Sequence, residues 1–213
     1  MKDVLLLADL HGQFGQLDSF LEFSPEAVFI AGDITNMGPV DSVDEVLSRI
    51  DVPCFVVPGN CDPREIIDTI EQSDAICLHG SQINLGTMTI AGIGGSNPTP
   101  FGTPFELTDK QIDDLLHNTL GKMEKSVHNV LLSHAPPYGV LDKLAGEHVG
   151  SKSIRRHIKS FDLVCCAHIH EQRGLTELDG VKIINPGPAM MGYCAMLHFG
   201  NEPKDIKVEL LTV

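Results

Sequence analysis

The chain opens on five apolar residues, Val4 through Ala8, set between the charged Asp3 and Asp9. A short run that is apolar at every position, rather than at alternate ones, predicts a strand covered on both faces of its sheet. Residues 27–31 and 53–57 repeat the pattern. Between these runs Leu17, Phe20 and Leu21, and then Val43, Val46, Leu47 and Ile50, recur at the spacing that lines one face of a helix. Strand–helix–strand–helix–strand is the order of a largely parallel sheet.

The middle of the chain changes pattern. Residues 82–94 read as a hairpin turning at Leu85-Gly86-Thr87, and residues 94–104, rich in Gly, Pro, Ser and Thr, read as a loop. Thr108 is placed to cap a helix that runs to about residue 120. Residues 127–132 and 163–167 are further strands, with a helix over 153–158 between them. Strand-like runs at 181–184, 193–199 and 206–211 close the chain. With no internal repeat and no linker-like stretch, one domain over residues 1–213 is expected.

The polar residues that interrupt this pattern fall at strand ends. Asp9 and His11 follow the first strand, Asp33 the second and Asn60 the third; His134 follows a later one, and His168 and His170 another. In an open α/β sheet, loops beyond the carboxyl ends of the strands converge on ligands. A lone His or Asp there is ordinarily a cap or a turn residue. Six of them, with Asn60, at five strand ends mark a metal site. Their mixed nitrogen and oxygen set suits two divalent ions of the Mn, Fe, Co, Ni or Zn type, and no thiolate cluster offers a structural zinc site. A carboxylate shared by two ions lets the pair activate water and clamp phosphate oxygens.

Composition narrows the function without changing that picture. Hydrophobic residues make up 42% and charged residues 21%, as in ordinary globular proteins. The net charge of −14 argues against a nucleic-acid partner gripped through Lys and Arg. It leaves room for a small phosphorylated substrate, because bound cations reverse the local field. The six cysteines form no C-x-x-C pair; apart from Cys61, they read as small buried hydrophobes in a reducing compartment. The first apolar run is too short for a signal core or a membrane span, so a cytoplasmic location and no membrane partner are expected. A homo-oligomer is left open.

The same residues carry a family resemblance. The chain resembles the calcineurin-like metallophosphoesterases, whose blocks run D-x-H, G-D-x4-G, G-N-H-[D/E], a lone His, and G-H-x-H. Here they stand as Asp9-Leu10-His11, Gly32-Asp33 through Gly38, Gly59-Asn60-Cys61-Asp62, His134, and Ala167-His168-Ile169-His170, in that order. The resemblance implies a four-layer α/β/β/α sandwich of two mixed sheets flanked by helices. It implies one metal on Asp9, His11, Asp33 and His170 and a second on Asp33, Asn60, His134 and His168, with Asp33 bridging. A hydroxide held between the metals would then attack the phosphorus. Cys61 replaces the family's usual His, and Asn36 replaces the aspartate that partners it, so the acid normally set beside the metals is missing. The G-N-C-D form is similar to a branch of small prokaryotic phosphodiesterases, the Icc-like ones included.

The catalytic candidates are therefore Asp33, Asn60 and His148, the last in a Gly-flanked loop where it could replace the missing acid. Cys61, Arg64, Ser96 and Asn97 are the substrate-binding candidates, although Arg64 could equally begin an exposed helix. Hydrolysis of phosphodiesters, ahead of monoesters, is the expected activity. Loss of the His–Asp pair suggests a protein-binding scaffold as an alternative, as in the retromer subunit of similar fold. A nuclease is the third reading.

Overall fold

The computed structural model describes residues 2–213. The first half alternates as its apolar pattern predicts: β1 (Asp3–Leu7), α1 (Leu17–Leu21), β2 (Ala27–Ile30), α2 (Asp41–Leu47), β3 (Cys54–Val56), α3 (Ile66–Gln72) and β4 (Ile76–Cys77). A hairpin of β5 (Ser81–Asn84) and β6 (Met88–Ile93) follows, then α4 (Asp109–Lys122) and β7 (His128–Ser133). A two-stranded ribbon of β8 (Lys143–Leu144) and β9 (Glu147–His148) leads to α5 (Lys152–His157) and β10 (Leu163–Cys165). The chain closes with β11 (Gly174–Leu178), β12 (Val181–Asn185), β13 (Tyr193–Phe199) and β14 (Ile206–Thr212).

These strands form two six-stranded sheets, in the orders β14-β13-β1-β2-β3-β4 and β11-β12-β10-β7-β6-β5. In the first, β1 to β4 run parallel, and β13 and β14 add antiparallel. In the second, β6, β7, β10 and β12 run parallel between the antiparallel edges β5 and β11. Both sheets are thus mixed.

Side-chain alternation along each strand builds the layers. From β1 and the residue that follows it, Val4, Leu6 and Ala8 point into a core shared with Ile90, Val130, Leu132, Leu163 and Cys165 of the second sheet. Leu5 and Leu7 point the other way, against Leu17, Phe20, Val43 and Val46 of α1 and α2. On the second sheet Leu131 and Val164 turn outward to Ile112 and Leu116 of α4 and Ile154 of α5. Sheet packs on sheet with helices outside both, which is the expected α/β/β/α sandwich. Thr108 caps α4 in a full capping box with Gln111, and that helix buries Ile112, Leu116 and Thr119.

Five elements carry too little pattern to be read from sequence. Helix α3 buries only Ile66 and Ile70, β4 is two residues long, and both ribbon strands are exposed. Strand β11 alternates half-buried and exposed positions at a sheet edge, where its antiparallel pairing with β12 rather than burial defines it. No helix among the described residues is long and apolar enough to cross a membrane. Cys54, Cys165, Cys166 and Cys194 are buried, Cys61 and Cys77 are partly so, and all six are free thiols.

Candidate metal centre

The carboxyl ends of β1, β2, β3, β7 and β10 lie together, and backbone hydrogen bonds tie neighbouring strand ends there within each sheet. Asp9 N–H donates to the Gly32 carbonyl and His11 N–H to the Asp33 carbonyl, locking the first strand end onto the second. His134 N–H donates to Ile93 O, and Ala167 N–H to His134 O. The turns are tight: Asp9, His11, Asp33 and His168 all have left-handed φ, at 53°, 45°, 50° and 71°. Non-glycine residues hold that conformation only where the surroundings impose it, and such strain gathers at functional sites. Gly59 is required for a different reason. A Cβ there would fall inside the Asp33 carboxylate.

The structure brings all seven strand-end residues together. Ligand atoms of Asp9, His11 and His170 lie within 4.8 Å of one another, as do those of Asp9, Asp33 and His134. His11 Nε2 stands 3.6 Å and His134 Nε2 3.5 Å from Asp33 Oδ2, so one carboxylate oxygen reaches toward both halves of the cluster. His170 Nε2 is 3.7 Å from Asp9 Oδ1 and 3.3 Å from His11 Nε2. His168 packs beside His134, ring centroids 5.1 Å apart.

Several features show that this arrangement fits cations. Asp9 is fully buried, and neither carboxylate oxygen has a hydrogen-bond partner. An orphaned buried carboxylate is costly in a fold that otherwise satisfies its polar groups. Burial by itself raises the Asp9 pKa, but the imidazoles of His170, His134 and His11 outweigh it and hold the carboxyl below its usual range. Burial lowers His11, and burial together with His134 pushes His168 down to about 3, which keeps both rings in the neutral form that ligates metals. Contact with Asp9 raises His170 instead.

Neighbouring side chains aim these groups. His134 Nδ1–H donates to the Ala31 carbonyl at 2.7 Å, which turns the lone pair of Nε2 inward. Thr103 donates its hydroxyl proton to Glu106 at 2.8 Å and so accepts from Asn60 Nδ2 at 3.0 Å, aiming Asn60 Oδ1 at the cluster. Asp62 is buried and accepts from the N–H groups of Ile34, Thr35 and Gly59 and from the Thr35 hydroxyl, tying the second strand end to the third. Burial, with Asp33 nearby, raises Asp62 to about 6. Asn185 Nδ2 donates to Ile169 O and fixes the His168–His170 loop. Thr103, Glu106 and Asn185 carry no signal for this role in the sequence, and Asp62 is visible there only through its place in Gly59-Asn60-Cys61-Asp62.

A cleft of about 500 Å³ opens over the cluster, lined by His11, Asp33, Asn60, His168 and His170 among others. Cys61 and Asn97, expected to meet substrate, also line it. Burial and the Asp33 carboxylate push the Cys61 thiol up, beyond its ordinary range, so it stays protonated. The remaining candidates lie elsewhere. Arg64 stacks on Phe105 at 4.5 Å and donates to the Glu106 carbonyl, which takes its guanidinium away from the cleft. Ser96 is buried and spends its hydroxyl on the Asn97 carbonyl. His148 sits on the exposed ribbon, outside the lining, and bonds Asp142 at 2.6 Å. Asn36, where the family's aspartate would stand, is exposed.

Known proteins share this architecture. The structure of TT1561 from Thermus thermophilus superposes with a TM-score of 0.75 at 16% identity, covering 98% of each chain. A dimetal phosphatase from Danio rerio superposes with a TM-score of 0.66 at 11% identity, covering 99% of this chain and 98% of that one. The uncharacterized protein MJ1162 of Methanocaldococcus jannaschii is 35% identical over 196 residues, 85% of this chain and 86% of its own. The calcineurin-like phosphoesterase family model matches residues 2–172, a span that holds every strand-end ligand candidate from Asp9 to His170, and the chain belongs to that family.

Proposed function

We propose that the protein hydrolyses phosphoesters, diesters ahead of monoesters, using two divalent metal ions. One ion is held by Asp9, His11, Asp33 and His170 and the other by Asp33, Asn60, His134 and His168, with Asp33 shared. The observation that carries this reading is the buried Asp9 carboxylate without a hydrogen-bond partner, set within 4.8 Å of further ligand atoms from separate strand ends. The bound ions supply charge neutralisation for the phosphate and activation of the attacking water. The protein's part is to orient: Ala31 fixes the His134 tautomer, Thr103 points Asn60, and Asp62 holds the Gly59–Asn60 turn.

Preference for a diester rests on charge. Among the described residues no Lys or Arg lines the cleft, while Glu171 does. Nothing but the metals offsets the second negative charge of a monoester, whereas a diester brings a single charge. With no imidazole in place of Cys61, leaving groups must depart with little proton donation, a deficit of roughly 10²–10⁴ in rate for a basic leaving group.

The test uses purified protein loaded with Mn or Ni and assayed on bis-p-nitrophenyl phosphate and p-nitrophenyl phosphate. Faster release from the diester is expected, lost in Asp33→Asn. Turnover of neither compound above that variant overturns the proposal.

A further inference from the structure

The wall of the cleft differs in chemistry from its floor. Above the ligand cluster it is formed by Met37, Pro98, Pro100, Phe101, Leu144 and Ile169. Phe101 is 77% exposed and Met37 57%, large apolar side chains left open to solvent inside a concavity. Grouped exposure of this kind marks a surface that is covered in use. The volume falls within the range of small-molecule sites, and the wall is continuous with the ligand candidates His168 and His170.

The segment carrying Phe101 is fastened. Thr99 Oγ1 and the backbone N–H of Thr103 both donate to Glu106 Oε1, at 2.6 and 2.9 Å. Phe101 N–H donates to Thr99 Oγ1 at 3.2 Å. Asn97 Nδ2 reaches the Val149 carbonyl at 2.8 Å and joins this loop to the chain that leaves the ribbon. The ring is therefore presented by hydrogen-bonded backbone, and the prolines on either side of Thr99 add flat apolar faces without donors.

We infer that this wall receives an aromatic ester group of the substrate, so that the enzyme takes phosphodiesters in which one alcohol component is a flat aromatic. The inference rests on the phosphohydrolase reading and deepens it. The metals would hold the phosphate at the floor, and Phe101 with Pro98 and Pro100 would cover the ring. Substrates with a second phosphate or a carboxylate on that component find no cation on the wall and are disfavoured.

The test has a binding arm and a turnover arm. Diphenylphosphinate and dimethylphosphinate each carry one negative charge and cannot be hydrolysed. In calorimetric titration of the Mn-loaded protein, the phenyl compound should bind about tenfold tighter or better, the scale of discrimination given by a well-filled apolar pocket. Phe101→Ala should bring the ratio of the two affinities toward one, with an unchanged melting temperature as expected for an exposed side chain. For turnover, kcat/KM for methyl p-nitrophenyl phosphate, whose nitrophenyl group is the flat aromatic, should fall about tenfold in Phe101→Ala, whereas that for the wholly aliphatic methyl 2,2,2-trifluoroethyl phosphate should stay within a few-fold. Equal affinities, or a ratio untouched by Phe101→Ala, overturn the inference, including the case where the wall instead docks another protein. Turnover of the aromatic diester left unchanged by Phe101→Ala, or lowered no more than that of the aliphatic one, overturns the inference alone. No turnover of either above Asp33→Asn overturns the hydrolase reading, and this inference with it.

Discussion

His134 Nε2 stands 2.8 Å from Asn60 Oδ1, and both atoms are acceptors. In the neutral ring that donates from Nδ1 to the Ala31 carbonyl, Nε2 carries a lone pair, and the Asn60 amide protons face Thr103 and Cys61 Sγ. Two lone pairs at that separation repel unless a cation lies between them. The buried Asp9 carboxylate, without a hydrogen bond and 3.7 Å from His170, adds negative charge to the same cluster, which a bound cation would offset. Metal binding should therefore raise thermal stability as well as activity. At a hundredfold excess over the dissociation constant the gain is about 2.7 kcal/mol. For a chain of this size that is roughly 5–10 °C in melting temperature. Scanning fluorimetry with chelator and then with graded Mn reads it directly. A melting temperature indifferent to metal in the wild type, or an equal rise in Asp9→Asn, contradicts the assignment.

The Thr103 hydroxyl connects Glu106 to Asn60, and its effect should be on orientation rather than stability. Thr103→Val keeps the shape and removes both hydrogen bonds. Changing such outer partners of metal ligands costs about 10–100-fold in affinity or activity. We expect a fall of that size in kcat/KM for bis-p-nitrophenyl phosphate, and a higher Mn concentration at half-maximal rate. Thr103→Ser should restore most of both. Equal losses in Val and Ser variants would point to packing of the Thr methyl group instead.

What could be read from sequence, and what could not, divides along a physical line. The runs at 4–8, 27–31 and 163–167 are apolar at every position because both faces of their strands are covered, and a polar ligand residue follows where each sheet layer ends. That made Asp9, Asp33 and His168 visible together. Thr103 and Asn185 are ordinary loop or strand-end residues whose partners lie 43 and 16 positions away, and only the folded chain brings them there. Arg64 and Ser96, expected to meet substrate, are held by other partners for the converse reason. They are near the site in sequence, but an aromatic ring and a backbone carbonyl claim them.

His79 should shape acid sensitivity. Its Nδ1 accepts from Gly94 N–H at 2.9 Å, and its ring lies 5.0 Å from Phe105, so only the neutral form fits. Burial, assisted by Arg64, lowers its pKa from 6.5 to about 4. A depressed folded-state value means the unfolded chain takes up the proton first. The stabilising contribution is full above 6.5 and is lost as pH falls toward 4. Between pH 7.5 and 5 the loss is about 2 kcal/mol by linkage. Urea denaturation of the chelated protein at both values should show it, and His79→Gln should lessen the difference by about that amount. An unchanged difference in the variant would exclude His79 as the source.

Cys61 lies beside Asn60 and lines the cleft, yet its protonated thiol is neither a nucleophile nor a cation. Its backbone N–H donates to Asp33 Oδ1 at 2.8 Å and steadies that carboxylate, while its sulfur accepts only a long contact from Asn60 Nδ2 at 3.5 Å. Cys61→Ala retains that N–H. It should keep kcat/KM on bis-p-nitrophenyl phosphate within a few-fold of wild type, and a thiol-alkylating reagent should leave the variant's rate unaffected. Covalent catalysis by the thiol would instead abolish turnover, as loss of a nucleophile costs several orders of magnitude. Cys61→His places an imidazole at the position where leaving-group protonation is missing. It should favour diesters with basic leaving groups over p-nitrophenolate, by up to roughly 10²-fold if the ring donates its proton well. The comparison of the two leaving groups separates proton donation from a general change in the site, because only the former depends on the basicity of the departing oxygen.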